Sequence, residues 1–514
     1  MSISLVISEN NKRIAKNTLM LYAKMGVTML VSLYTSRVVL QTLGVDDFGI
    51  YNVVGGVVVL FSFLNAAMSS ATQRFLNFEL GKKDLVQVGR VFSMSMTVHF
   101  CIAGIVLLLA ETVGLWFLNA ELNIPAERMI AANWVYQFSV ASTLLGIMLV
   151  PYNATIIAYE RMAFYAWASI INVFLRLGIV YLLVIGNFDK LILYAGLTFA
   201  VGVLMQIIHV GYCRRAFPQT AIYKPFRDKK LFRELISFSG WSLFGGVASM
   251  SASQGINMVM NIFCGVAVNA AMGIANQVNA AVYQFVSNFQ TAFQPQIVKR
   301  YSAEEHDALI LLIFRASKFS YFMMLFVALP IVLNTDFVLT VWLGNVPEFA
   351  SDFVRWTLFT AMVESLAGPL WMSVQATGTI RNYQIVVCLF LFSTLPLAIV
   401  LLSFGCSPVW VLIGRCGINF VTTLWRAIYL KEKITFPTWM YFRRVIGNVL
   451  IVSLLSVFVP ALIWLHIPEE SVWIRFFSSS GASAFCVVCA VWLLGFTASE
   501  RNSISKLFLN RFVK

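Results

Sequence analysis

Fourteen apolar stretches, each long enough to cross a lipid bilayer as a helix, occupy almost the whole chain. A membrane-spanning helix needs about 20 mostly apolar residues, because each residue adds about 1.5 Å along the helix axis. Hydrophobic residues make up 59% of the chain and charged residues only 12%, whereas about 25% charged residues is usual in a soluble domain. The sequence therefore predicts an all-α polytopic membrane protein with fourteen transmembrane helices.

The predicted spans follow one another with short gaps. They lie at 17–41, 48–73, 91–118, 129–150, 163–186, 190–213, 235–263, 268–295, 309–334, 353–378, 383–404, 408–430, 445–465 and 474–497. The longest gap follows Cys213, and none of the gaps has room for a soluble domain.

Lysine and arginine residues collect in alternate gaps, and this pattern predicts the orientation of the chain. With the N-terminus in the cytoplasm, the cytoplasmic gaps and tails contain most of the basic residues. The opposite side contains only Arg128, Lys190, Arg355 and Arg475. Because cytoplasmic loops next to membrane segments retain positive charge, both termini are predicted to be cytoplasmic.

The formal net charge of +14 has the same explanation. A basic surface is also found in nucleic-acid-binding proteins, but here the charge is spread over gaps that flank the membrane. We therefore expect no nucleic-acid partner. Cys486 and Cys489 form a CxxC pair in the last span with no histidine nearby, so no metal site is expected.

Short motifs recur in the same order in the two halves of the chain, about 220 residues apart. The first half has Leu43-Gly44-Val45, Glu111, Ala154-Thr155 and Phe217-Pro218, and the second has Cys264-Gly265-Val266, Asp336, Ala376-Thr377 and Phe436-Pro437. The repeat predicts two six-helix bundles with the same orientation, formed by spans 1 to 6 and 7 to 12. Spans 13 and 14 are a C-terminal addition.

This repeat predicts four parts of the chain: an N-lobe at 1–213, a basic cytoplasmic linker at 214–233, a C-lobe at 234–432, and the last two spans with a cytoplasmic tail at 433–514. Two parallel bundles related by an axis along the membrane normal usually enclose a cavity that opens alternately to either side. The architecture therefore favours a transporter over an enzyme.

The beginning of the chain contains several characteristic runs. They are Asn17-Thr18-Leu19, Tyr34-Thr35-Ser36-Arg37-Val38-Val39-Leu40, Leu43-Gly44-Val45-Asp46-Asp47-Phe48-Gly49-Ile50-Tyr51-Asn52-Val53-Val54-Gly55-Gly56 and Ser69-Ser70-Ala71-Thr72-Gln73-Arg74-Phe75. These runs resemble the opening of bacterial polysaccharide flippases, which belong to the multidrug/oligosaccharidyl-lipid/polysaccharide exporter superfamily. The resemblance is specific over the first 80 residues and extends to the rest through topology and repeat.

The resemblance implies a substrate and a location. The substrate is an oligosaccharide repeat unit of O-antigen or similar polysaccharide, linked to undecaprenyl diphosphate. The protein would move it from the inner to the outer leaflet of the bacterial cytoplasmic membrane. Membrane lipids, a polysaccharide polymerase and glycosyltransferases are the expected partners.

Neutral hydrogen-bonding side chains follow single faces of spans 2, 7 and 8. A polar amide exposed to lipid is costly, so these faces are expected to contact protein or water. The candidates for contact with the sugar headgroup are Asn65, Ser69, Gln254, Asn257, Asn261, Asn276, Asn279, Tyr283 and Gln290. Hydrogen bonding between helices is their alternative role, but their density favours a wet cavity.

Charged side chains inside spans are costly unless they are paired, wetted or able to reach the interface. Lys24 and Arg37, both in span 1, are the candidates for binding the diphosphate, with structural pairing or snorkelling as the alternative. Glu111 in span 3 and Arg176 in span 5 are predicted to form a structural ion pair.

Glu364 is the only acidic residue near the middle of a predicted span. Pro369 lacks the N–H group that would bond to the carbonyl of Ser365. A carboxylate beside a broken helix is a known arrangement for a coupling cation, here H⁺ or Na⁺. The alternative is a salt bridge to Lys318 or Arg315 in span 9. No other cofactor is expected.

Three other functions are compatible with parts of this sequence pattern. A drug/cation antiporter of the same superfamily shares the repeat, but it usually has twelve spans and a less cationic cavity. A lipid II flippase also has fourteen spans, but the opening of this chain is more similar to the O-antigen type. A membrane-embedded polymerase or glycosyltransferase needs a large extracytoplasmic loop or an acidic catalytic loop, and the longest outer gap, 335–352, is too short.

Overall fold

The structure is a computed structural model that describes residues 17–32, 34–35, 38–39, 42–43, 47, 50–51, 54, 62–120, 124–183, 189–468, 471–498 and 500–501. The regular structure in these ranges is helical throughout, and no β-strand occurs in them.

Within the described residues, the first half of the chain contains six long helices. They are α1 (17–32), α2 (Ser62–Gly81), α3 (Leu85–Leu109, continued by a π-helical turn at Ala110–Gly114 and a last α-helical turn at Leu115–Ala120), α4 (Met129–Ala158), α5 (Met162–Leu182) and α6 (Lys190–Ala216).

The described part of the second half contains eight long helices. They are α7 (Lys229–Cys264), α8 (Val266–Ser302), α9 (His306–Leu333, followed by a short helix at Thr335–Leu343), α10 (Ala350–Thr377), α11 (Arg381–Ser403), α12 (Val409–Ile434), α13 (Gly447–His466, preceded by Thr438–Tyr441 and a π-helical turn at Phe442–Ile446) and α14 (Val472–Ala490, continued by a π-helical turn at Val491–Gly495).

Each predicted span overlaps one of these helices, with α1 and α2 described only in part. The predicted fold class is therefore confirmed for the described residues. Eight helical segments are long and apolar enough to cross a membrane by length and composition alone. The amide-rich helices α7 and α8 are not among these eight, because their polar faces lower their hydropathy.

The described residues divide into two compact units, which lie within Lys16–Gly246 and Val247–Lys514. The boundary falls inside α7. Part of the segment predicted as a basic linker lies against the first unit: the hydroxyls of Thr220 and Tyr159 are 3.1 Å apart, and the backbone N–H of Lys224 donates to Oγ of Ser93 at 3.1 Å.

The core of the first unit includes the π-helical turn of α3. The fully buried Tyr136 of α4 donates its O–H to the carbonyl oxygen of Ala110 at 2.7 Å. Gly114 closes this turn, and a Cβ there would collide with the same hydroxyl. The packing of this side chain explains the widened turn, because the Tyr136 hydroxyl from α4 donates a hydrogen bond to the carbonyl of Ala110, the first residue of the turn.

In the second unit, α9 packs against α8, α10, α13 and α14, and α10 packs against α8, α9 and α12. α9 is therefore the helix that attaches the two C-terminal helices to the rest of this unit.

The internal repeat is visible in the turns that close α2 and α8. Lys83 and Glu304 both have a left-handed backbone, with φ of 62° and 58°. The hydrogen bonds also correspond: the N–H of Asp84 donates to the carbonyl of Glu79 at 3.2 Å, and that of Glu305 to the carbonyl of Arg300 at 3.0 Å. Each residue of the second turn follows its counterpart in the first turn by the same number of residues, so the two turns are equivalent positions of the repeat.

A second pair of equivalent positions lies in α4 and α10. The hydroxyls of Thr155 and Ser373 donate to the carbonyls of Pro151 and Pro369, at 2.8 and 2.7 Å. Glu160 and Gly378 then end these helices with φ of 57° and 79°. This register pairs Thr155 with Ser373, one helical turn before the Thr377 with which the sequence motif paired it.

Candidate functional site

The amide of Gln290 on α8 joins three helices of the second unit. Its side-chain N–H group donates to the carbonyl oxygen of Ser365 on α10 at 3.3 Å and to Oγ of Ser320 on α9 at 3.4 Å. Gln290 is only 6% exposed. Pro369 has no N–H group and therefore leaves the Ser365 carbonyl without a donor from its own helix. Gln290 thus forms hydrogen bonds between helices, which was the alternative role considered for the polar side chains of spans 2, 7 and 8.

Gly368 makes this contact possible. A Cβ at this position would overlap all three terminal atoms of the Gln290 side chain. Gly368 and Pro369 therefore act together: the proline removes a backbone donor, and the glycine leaves the space through which a side chain from α8 supplies another.

The remaining candidate amides have unused hydrogen-bonding atoms. On α7, the N–H of Asn257 donates to Oε1 of the exposed Gln254 at 3.2 Å, and Asn261 is partly exposed. Asn276, Asn279 and Tyr283 on α8 are also partly exposed. The side-chain oxygens of Asn257 and Asn279 are buried and accept no hydrogen bond from the described part of the chain. Buried polar atoms of this kind are suited to a bound water or a ligand hydroxyl.

The candidates on α2 are described only in part. Oγ of Ser69 accepts a hydrogen bond from the amide of Gln73, one turn later, at 3.0 Å. The side chain of Asn65 lies outside the described residues.

Glu364 on α10 faces α12. Its Oε1 accepts a hydrogen bond from the amide of Asn419 at 3.3 Å, and Tyr283 and Cys416 are within electrostatic range. The salt bridge to Lys318 or Arg315, considered from the sequence, is absent from the described residues, because both cations are bound elsewhere. Glu364 is half-buried, and the hydrogen-bond partner described for its carboxylate is the neutral amide of Asn419.

Glu500, which the sequence analysis placed in the cytoplasmic tail, binds these two cations. Its oxygens lie 3.0 Å from Nε of Arg315 and 3.3 Å from Nζ of Lys318, and its side chain is 6% exposed. Lys318 also donates to the carbonyl of Gly495 at the end of the π-helical turn after α14, at 3.0 Å.

A sequence signal for Glu500 exists in the T-x-x-E pattern of Thr497 and Glu500. The N–H of Thr497 donates to Oε2 of Glu500 at 2.8 Å, and the N–H of Glu500 donates to Oγ1 of Thr497 at 3.4 Å. This reciprocal pair is a capping box, a mark of a helix start rather than of an irregular tail.

In the first unit, Nζ of Lys24 lies 4.2 Å from the ring centroid of Tyr165, a cation–π contact between α1 and α5. Arg37, the other candidate for binding the diphosphate, lies outside the described residues.

The predicted ion pair of Glu111 and Arg176 is not formed in the described part of the chain. Glu111 lies in the π-helical turn of α3, and its Oε2 accepts a hydrogen bond from the amide of Gln137 on α4 at 3.2 Å. Arg176 on α5 lies within electrostatic range of Tyr51 and Tyr194 instead. The positions of these two residues in their spans do not determine the direction in which each side chain points.

Two arginines near the starts of α4 and α10 each bind two aspartates. Arg128 donates to Asp47 from Nε at 2.9 Å and to Asp189 from Nη1 at 2.5 Å. In the second unit Arg355 binds Asp336 at 2.6 Å and Asp352 at 3.1 Å. These contacts connect helix ends on the side predicted to be extracytoplasmic.

Two of these aspartates, Asp189 and Asp336, have a lowered pKa. Burial acts to raise the pKa of Asp189, but the hydrogen bonds from Arg128 and from the backbone of Leu191 and Ile192 outweigh it and hold the pKa below its usual value. Burial also acts to raise the pKa of Asp336, but hydrogen bonding and the positive charge of Arg355 together lower it below its usual value. Both carboxylates therefore stay charged at neutral pH.

An apolar cleft of about 440 Å³ lies between α9, α10, α12 and α13. Its lining includes Tyr321, Trp356, Cys416 and Ser453, and the hydroxyls of Tyr321 and Ser453 are 2.9 Å apart. No charged or amide side chain lines it in the described structure. The cleft therefore does not supply the polar groups that a sugar headgroup needs.

The arrangement of helices is similar to that of solved transporters. A multidrug resistance MATE family transporter of the MOP superfamily, in an outward-facing conformation, has a TM-score of 0.71 and 13% identity over 83% of this chain and 96% of that protein. A MOP superfamily transporter from Pyrococcus furiosus has a TM-score of 0.70 and 13% identity over the same shares. The chain is a multi-pass membrane protein with the fold of MATE transporters.

Among curated proteins, the chain is similar to the uncharacterised membrane protein EpsK of Bacillus subtilis (strain 168). The two are 19% identical over 489 residues, which cover 94% of this chain and 95% of EpsK. No protein-family model matches the chain.

Proposed function

We propose that this protein moves an oligosaccharide linked to undecaprenyl diphosphate from the inner to the outer leaflet of the bacterial cytoplasmic membrane. The observation that carries the proposal is the presence of amides with unused hydrogen-bonding atoms on α7 and α8. The opening sequence motif, similar to that of polysaccharide flippases, supports the same substrate class.

The amides suit the sugar part of this substrate. Each sugar hydroxyl both donates and accepts a hydrogen bond, and a side-chain amide offers both functions. The free oxygens of Asn257 and Asn279 are acceptors for such hydroxyls. Gln254, Asn261, Asn276 and Tyr283 add partly or fully exposed polar groups on the same two helices.

The diphosphate requires a cation within the membrane. Lys24 supplies one on α1, held against the ring of Tyr165 at 4.2 Å. A cation–π contact leaves the ammonium N–H groups without a bound counter-charge, so Lys24 stays able to bind phosphate oxygens. Arg37 is proposed as the second cation from the sequence alone.

Glu364 is the proposed site for H⁺ or Na⁺. Its described hydrogen-bond partner, Asn419, is neutral, and the two cations that sequence analysis considered as partners are bound to Glu500. A carboxylate without a bound basic residue is free to exchange a cation as the transporter opens to either side. Both termini are proposed to be cytoplasmic, with a polymerase and glycosyltransferases as partners in the same membrane.

A drug/cation antiporter is the second candidate, because the same fold occurs in a multidrug resistance transporter and because Glu364 is an acid that an organic cation would bind. The Pyrococcus furiosus relative has a binding pocket whose reverse polarity suggests a different function for that protein. The fold alone is thus no guide to the charge of the substrate.

Transport by the purified protein in liposomes tests the proposal. A fluorescent oligosaccharide on undecaprenyl diphosphate should become accessible from the opposite leaflet with wild-type protein and more slowly with Lys24→Ala. Lys24→Arg, which keeps the charge, is the matched control. Export of an organic cation with no movement of the lipid-linked sugar would reject the proposal in favour of the antiporter.

A further inference from the structure

The inner end of the second unit contains a cluster with more positive than negative charge. Arg315 and Lys318 of α9 share the single carboxylate of Glu500, and the side chains of the three residues are 14%, 7% and 6% exposed. Two cations on one carboxylate leave an uncompensated positive charge in a largely buried place, which is costly unless another anion is present.

Arg300, near the end of α8, adds a third cation. Its guanidinium is close enough to Arg315 for the two to repel each other, and Glu305 is the carboxylate that acts on it. Its Nη1 donates to the carbonyl of Ala308 at 2.8 Å, but its Nε is buried and donates to no acceptor in the described residues.

Arg501, the neighbour of Glu500 in the sequence, repeats this feature. Its Nε is also buried and has no acceptor within the described part of the chain. The cluster therefore combines three cations, Arg300, Arg315 and Lys318, with two carboxylates, Glu305 and Glu500, and Arg501 follows Glu500 in the sequence. The Nε donors of Arg300 and Arg501 lack acceptors among the described residues, although buried donors are almost always satisfied.

We propose that this cluster binds an anion of the phosphate class. A phosphate group carries several acceptor oxygens and the negative charge that the cluster lacks, and arginine is well matched to it in shape. The cluster lies at the ends of α8 and α14 that point to the side with the basic loops, and basic pockets between transmembrane helices on that side bind the headgroups of anionic lipids. The phosphate belongs to an inner-leaflet phospholipid or to free phosphate in solution.

This cluster shares no residue with those proposed above for transport. Its test does not depend on transport. The full chain is placed in lipid nanodiscs of phosphatidylcholine alone, of phosphatidylcholine with phosphatidylglycerol, or of phosphatidylcholine with inorganic phosphate in the buffer, and its melting temperature is measured. A ligand that binds only the folded protein raises this temperature.

The proposal predicts a rise with phosphatidylglycerol if the source is a lipid, and with inorganic phosphate if the source is free phosphate. The double variant Arg300→Gln/Arg501→Gln should lose this rise. Arg90→Gln, which removes an exposed arginine bonded to Gln87, should keep it. Equal melting temperatures of the wild-type protein in all three conditions would overturn the proposal, as would an equal rise in the double variant.

A variant that removes the negative charge of Glu500 should increase the effect of the anion, whereas the double variant should abolish it. This second test does not depend on the folding of the double variant. Glu500→Gln removes the competing negative charge but keeps an oxygen that can accept from Thr497, since glutamine also forms capping boxes. The rise in melting temperature caused by the anion should become larger in this variant. An unchanged or smaller rise would show that Glu500 and the anion do not share the cations.

Discussion

The amide of Gln290 donates a hydrogen bond to the carbonyl oxygen of Ser365 at 3.3 Å, in place of the backbone N–H that Pro369 lacks. The contact crosses from α8 to α10 over Gly368, where a side chain would collide with the amide. The backbone hydrogen bond that α10 lacks near Glu364 is thus replaced by one from another helix, and α10 stays continuous over Ala350–Thr377. The geometry of the helix around the proposed cation site therefore depends on α8.

Gly368→Ala should destabilise the protein by about 1 to 3 kcal/mol, because the new methyl group displaces the Gln290 amide and leaves the Ser365 carbonyl unsatisfied. Thermal unfolding in detergent measures the change. Gly273→Ala is the matched control, since its Cβ would meet no atom within 4 Å. An equal loss of stability in both variants would show that the hydrogen bond to Ser365 has no special role.

Lys24→Ala should weaken substrate binding by roughly 1.5 to 3 kcal/mol, the usual contribution of a hydrogen bond to a charged group. The amount of protein in the membrane should change little. Tyr165→Phe keeps the aromatic ring under Lys24 and should bind the substrate as the wild type does. Unchanged binding by Lys24→Ala, measured with lipid-linked diphosphate in detergent, would leave Lys24 with a structural role only.

The number and positions of the spans could be predicted because lipid requires long apolar helices, a property that lies within each segment. Hydrogen-bond and ion-pair partners that lie in different segments could not be predicted in this way. Asn419 is distant in sequence from Glu364, and Asp47 and Asp189 are distant in sequence from Arg128. Nothing local in the sequence indicates these pairings. Glu500 is an intermediate case, because its capping box was readable but its contacts with Arg315 and Lys318 were not.

Glu500→Ala should cost about 3 to 5 kcal/mol of stability, because it leaves two buried cations without a counter-charge. Glu127→Ala, which removes an exposed acid, should change stability by less than about 0.5 kcal/mol. Denaturation of the two variants and the wild type, followed by tryptophan fluorescence in detergent, compares them. A small effect of Glu500→Ala would mean that water reaches the cluster and screens it.

The arginine clusters on the predicted outer side should make stability depend on acid pH. The pKa values of Asp189 and Asp336 are lowered in the folded protein. Their contribution to stability is therefore fully present above the unfolded value of about 3.9 and is lost as pH falls through the lower folded values. Melting temperatures measured between neutral and strongly acid pH should fall less steeply in Arg128→Gln than in the wild type. Equal slopes would show that the Arg128 contacts do not stabilise the fold.

Glu364→Gln should abolish transport that is driven by an ion gradient while the protein still folds and binds its substrate. The substitution keeps the shape of the side chain and the acceptor for Asn419 but removes the charge that a cation would bind. Neutralising Lys318 should not restore transport, because Lys318 is bound to Glu500 at 3.3 Å and not to Glu364. Transport rates in liposomes with imposed proton or sodium gradients distinguish the outcomes. If Glu364→Gln transports at the normal rate with the same dependence on pH and sodium, the driving ion binds elsewhere.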